Sequence, residues 1–165
     1  MKTSLINMPW QKVLFIGIMA TLSVAACKKD KKDNVNPIQK TTIQLSGANE
    51  VPAVTSNGTG SAALTYDPAT KMLSYQISWQ LGNPSSNTTG MHFHGAENGS
   101  PAISSDIVIP IDVTSFSGSS GTLSGSTPVL TDTQIAQLLN GKWYLNIHSS
   151  VYPNGELRGN INFGT

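Results

Sequence analysis

Cysteine occurs once in this chain, at Cys27, which rules out an intrachain disulfide as a staple of the fold. No serine sits in a Gly-x-Ser-x-Gly elbow and no glycine-rich loop opens a helix, so neither serine-hydrolase chemistry nor a phosphate cradle is marked. Ser149 adjoins His148, but in a continuing strand the two face opposite sides. The apolar stretch that begins with residues 13–20 is short for a membrane span. Charge is sparse and unevenly placed. Residues 27–40 hold five lysines against two aspartates, a net +3, whereas residues 41–165 hold three basic against seven acidic side chains, a net −4. The acidic body offers no footprint for nucleic acid. The basic stretch suits either anionic lipid headgroups or plain solvation.

What is present at the N-terminus reads as an export signal. Lys2 and Lys12 supply a basic region, the apolar stretch follows, and Val24-Ala25-Ala26-Cys27 has the small residues of a lipobox before its cysteine. The expected organisation is a lipoprotein signal peptide over 1–26, lipidation at Cys27, a flexible tether over 27–40 and one domain over 41–165. The tether is too polar to bury a core. The expected location is the cell envelope, on the periplasmic or surface face of the outer membrane, with the membrane itself as a partner through the lipid.

The domain is rich in Thr, Ser, Gly and Asn, with short alternating runs between turn residues, which predicts an all-β antiparallel Greek-key β-sandwich. Residues 42–45 alternate as a first strand. Residues 60–66 and 72–81 form a hairpin, with Leu73, Tyr75, Ile77, Trp79 and Leu81 on one face and polar residues on the other. Pro110, within the apolar run 106–111, marks an edge or a bulge. Residues 115–126 read equally as a loose strand or a loop. One short helix is expected before the C-terminal hairpin: Thr131 and Gln134 have capping-box spacing, Ile135, Leu138 and Leu139 make a stripe, and Asn140-Gly141 stops it. The hairpin then pairs 143–148 with 156–163. Leu157, Ile161 and Phe163 face the core, and Gly159 allows a close neighbour.

The chemistry concentrates on the three histidines. His92 and His94 share one face of a strand while Met91 and Phe93 take the other. In the last hairpin Tyr144, Asn146 and His148 lie opposite Trp143, Leu145 and Ile147, and parity puts Glu156 and Arg158 with the histidine. Two readings follow. If the strands lie close, three neutral imidazoles hold one copper or zinc ion, with Glu97, Asp106 or Glu156 adding an oxygen or orienting a ring. Otherwise the histidines hydrogen-bond one another, backbone carbonyls or Glu156, and Arg158 pairs with a carboxylate to order the sheet.

These motifs resemble the CHRD domain, first described in chordin and also found alone in bacterial exported proteins. The resemblance rests on Leu45-Ser46-Gly47-Ala48-Asn49-Glu50-Val51-Pro52-Ala53, on Gly60-Ser61-Ala62 with the 73–79 strand, and on His92-Phe93-His94-Gly95. The 130–141 helix follows, and then Tyr144-Leu145-Asn146-Ile147-His148 with Pro153-Asn154-Gly155-Glu156-Leu157-Arg158-Gly159. Ala96-Glu97-Asn98 departs from a proline-containing turn common in the family. The resemblance implies an all-β extracytoplasmic domain with no agreed enzymatic activity. The expected function is therefore a lipid-anchored binding or structural module, not an enzyme. A protein partner in the envelope would meet the exposed loops 83–89 and 149–155, with Tyr152 as an aromatic anchor.

His-x-His-Gly also looks like part of the copper-zinc superoxide dismutase sandwich, which keeps a copper- or zinc-dependent redox or metal-handling protein as the alternative. Dismutase chemistry itself needs more histidines and a disulfide than this chain has. Cys27→Ser is expected to abolish metabolic lipid labelling and release the chain from membranes; a variant that stays lipid-labelled overturns the anchor assignment.

Overall fold

Alternation in residues 72–81 explains the first piece of the fold. Leu73, Ile77, Trp79 and Leu81 are buried while Ser74, Gln76, Ser78 and Gln80 are exposed, so this strand packs one face and wets the other. The protein is seen in a computed structural model that describes residues 36–95 and 102–164. The 1–26 signal, Cys27, most of the tether and Glu97 lie outside the described residues.

In chain order the elements are β1 (Gln39–Ser46), β2 (Thr59–Asp67), β3 (Met72–Gln80), β4 (Thr88–Gly95), β5 (Ile107–Ile111), β6 (Ser120–Ser126), α1 (Asp132–Leu139), β7 (Trp143–Ser149) and β8 (Leu157–Asn160). The first strand begins at Gln39, inside the stretch assigned to the tether. All strand pairings are antiparallel, in the order β5-β4-β7-β8-β1-β2-β3-β6. The all-β class with one helix before the last hairpin is what the structure shows.

Its layering has a particular form. The hydrogen bonding runs through one sheet, but β8 meets β1 at a single pair, Ser46 with Arg158. Two four-stranded leaves are thus hinged along that junction and curl over a shared core. Contacts between strands far apart in the sheet order show the curl: Tyr75 on β3 meets Phe93 on β4 edge to face at 5.5 Å, and Trp79 Nε1 donates to Thr88 Oγ1 at 2.8 Å. Trp143, Leu145, Ile147, Met91 and Phe93 fill the interior from one leaf, and Leu45, Leu64, Leu73 and Ile77 from the other.

The edges fall where the residues favour them. Pro110 lies on β5, an edge strand, where a missing donor costs no ladder bond. The Ser- and Gly-rich run becomes β6, the opposite edge, paired along β3. The capping box forms as expected: Gln134 N donates to Thr131 Oγ1, and Thr131 N donates to Gln134 Oε1. The helix stripe is narrower than predicted. Leu138 is buried and Ile135 partly so, while Leu139 turns to solvent, because a two-turn helix resting on a curved sheet covers only one ridge.

Gly159 supports the hinge between the leaves. A Cβ there would stand 2.8 Å from the carbonyl oxygen of Gln44 and 3.2 Å from Leu45. Asn49 Nδ2 donates to the Arg158 carbonyl beside it, at 3.1 Å. Gly159→Ala is expected to destabilise the domain by about 1–3 kcal/mol in urea unfolding, since backbone rather than a side chain must move. Unchanged stability would show that the leaves meet more loosely than this.

Candidate functional site

The register of three neighbouring strands builds the site. His92 on β4 lies opposite Asn146 on β7, which lies opposite Arg158 on β8; His94 lies opposite Tyr144, and Gly90 opposite His148. These residues share the outer face because Met91, Phe93, Leu145 and Ile147 are committed to the core. A shift in the β4–β5 register between Phe93 and His94 marks a bulge at the second histidine.

The three imidazoles converge. One ring nitrogen from each of His92, His94 and His148 lies within 4.8 Å of the other two. The His92 ring centroid is 5.0 Å from that of His148 and 5.7 Å from that of His94. His94 is buried and the other two are half-buried.

Two ring orientations are dictated by backbone. His94 Nδ1 lies 2.8 Å from the Ser105 carbonyl oxygen and His148 Nδ1 lies 2.9 Å from that of Pro153. A carbonyl only accepts, so each Nδ1 carries the hydrogen and each Nε2 keeps its lone pair. Those Nε2 atoms, with Nδ1 of His92, are shielded from water and meet no hydrogen-bond partner. Three buried, unsatisfied nitrogens in one place are costly unless something binds them. Burial, with the neighbouring His148 and His94, pulls the His92 ring down to about 4; burial also lowers His94, against the hydrogen bond to Ser105. The histidines therefore do not satisfy one another.

The surrounding polar groups have other tasks. Tyr144 stacks on His94, with centroids 4.6 Å apart and planes 4° from parallel, and the Arg158 guanidinium lies 3.5 Å from the centre of the same ring. Because β7 runs between β4 and β8, the two partners approach Tyr144 from opposite flanks. Arg158 also donates to Asn160 and to the Ile103 carbonyl. Glu156, expected on this face, instead turns to the far leaf. Its Oε1 accepts from Ser56 Oγ and Gly82 N, each at 2.7 Å, because the chain leaves strand geometry at the turn before β8. Asp106 is exposed, and its backbone carbonyl accepts from Gly95 N. Tyr152 uses its hydroxyl to bond the Thr55 carbonyl at 2.5 Å, which clasps two loops together.

The carboxylate that does reach the face is Glu50, which parity could not place because it follows β1 in a short turn. Asn146 Nδ2 donates to its Oε1 at 2.6 Å. Burial pushes Glu50 up to about 7, against the lowering effects of Arg158 and of Asn146. An acid held above its ordinary value of 4.5 stabilises the fold while protonated, fully below that value, and loses this contribution as pH rises through about 7. Between about pH 5 and 8, Glu50→Gln is expected to lose on the order of 2 kcal/mol less stability than the native chain, read from parallel urea titrations. Identical pH profiles would sink this assignment.

No curated protein and no solved structure matches the chain. The model of the CHRD domain matches residues 41–161, a span that takes in the three histidines, Glu50 and the Arg158 stack, and the chain therefore belongs to the CHRD domain family.

Proposed function

We propose that this protein is a lipid-anchored, exported binding module whose polar face holds a single copper or zinc ion through His92, His94 and His148. The match to the CHRD domain over residues 41–161 supports a binding or structural module. The metal reading is carried by the convergence of the three imidazoles: one ring nitrogen from each, drawn from two neighbouring strands, lies within 4.8 Å of the other two, and each ring also carries a water-shielded nitrogen without a partner. Neutral imidazole suits both ions. Ligands at about 2.0–2.1 Å from a tetrahedral ion stand roughly 3.4 Å apart, so a modest rotation of the half-buried rings closes the set. The Ser105 and Pro153 carbonyls supply what ligating histidines ordinarily have, an acceptor on the other nitrogen.

The lipobox at Cys27 and the basic segment after it support presentation of the module at a membrane. A two-metal dismutase arrangement finds no support, because all three histidines of the chain belong to one group and none is left to bridge a second ion.

The expected result is one equivalent of copper or zinc per chain by elemental analysis after loading, with a melting temperature raised by several degrees. His92→Ala and His148→Ala should each lose both the ion and the shift. A chain that takes up no metal and melts unchanged defeats the reading.

A further inference from the structure

Beside the histidine face, and independent of any metal, the turn after β1 and the loop before β8 leave a cleft of about 220 Å³ between them. Its walls are apolar, with Val54, Val151, Tyr152 and Pro153 among them, and Glu50 and Gly155 also line it. Glu50 is the charged residue of that lining and is 8% exposed. Its carboxylate lies directly against Gly155, where a Cβ would come within 2.8 and 2.9 Å of its two oxygens. Gly155 has φ of +129°, a conformation that also favours glycine, so the backbone there is shaped to admit the carboxylate.

The two oxygens are not equivalent. Oε1 accepts from Asn146, whereas no donor among the described residues meets Oε2. Burial raises this acid against the opposing effects of Arg158 and of the Asn146 hydrogen bond. We propose that this cleft receives the side chain of a lysine from a partner polypeptide, its ammonium bonding Glu50 Oε2 and its methylene stem lying on the valine and proline walls.

Three features choose this occupant. A single open oxygen suits a compact ammonium; a guanidinium gains its advantage from gripping both oxygens of a carboxylate, and one is already taken. An apolar passage leading to a buried acid matches a charge carried on a four-carbon stem. The acidic domain, with net charge −4 over residues 41–165, favours the approach of a cation.

The test is an NMR titration of the full chain with Nα-acetyl-lysine methylamide, with the norleucine and arginine counterparts in parallel. The lysine probe is expected to bind in the millimolar range and to shift the amides of Val51, Val54, Tyr152 and Gly155. Norleucine, which keeps the stem and loses the charge, and arginine should each bind about tenfold more weakly, as should lysine to Glu50→Gln. Val151→Ser, at a 48% exposed wall position, should fold normally and weaken lysine binding about two- to fivefold. Equal binding of lysine and norleucine, preference for arginine, shifts confined to other surfaces, or no shift with the lysine probe would each overturn the proposal.

Discussion

The placement of β7 between β4 and β8 is the constraint on which the rest depends. Trp143, Leu145 and Ile147 are wholly buried, and that burial fixes which way the strand faces. A slip by one residue would move three large apolar side chains onto the polar face and carry Tyr144, Asn146 and His148 into the core. Burying each of the three is worth roughly 1.5–3 kcal/mol. The register that brings His148 to His92 is thus paid for by hydrophobic packing on the opposite side of the sheet.

Given that register, the polar face divides into two neighbouring arrangements. One is the imidazole group, where the Ser105 and Pro153 carbonyls hold two rings so that their lone pairs turn inward. The other is centred on Glu50, which Asn146 tethers to the middle of the face. Pro153 belongs to both, since its carbonyl holds His148 while the residue lines the cleft beside Glu50. Tyr144, held between His94 and Arg158, connects β4 to β8 through stacked planes. Few of these contacts involve ion pairs. The face is organised mainly by backbone acceptors, stacking and one buried amide, all of which are insensitive to salt.

The family motifs make structural sense in these terms. The block 45–53 delivers Asn49 to the leaf junction and Glu50 to the polar face, and the block 153–159 provides Pro153, Gly155 and the close-packed Gly159. Segments about a hundred residues apart in the chain therefore meet at a single seam, where the curled sheet is joined by only one strand pairing. The side-chain and glycine contacts there supply what the backbone ladder does not.

Much of this was legible in the residues. Strict alternation set the buried and wet faces of β3 in 72–81 and the apolar and polar faces of β7 in 143–148, and the Thr131–Gln134 pair announced the helix start, because these are local rules of chain geometry. Sharing of one face by His92 and His94, and the membership of His148 in the polar face of its own strand, followed from the same period. Parity within strands could not say how strands are neighboured, that the sheet closes as one hinged layer, or that Glu156 leaves the face while Glu50 enters it. Those outcomes depend on where loops end after the leaves fold over a common core, and on which buried donors each carboxylate finds there; both are properties of the packed chain, and no local pattern encodes them.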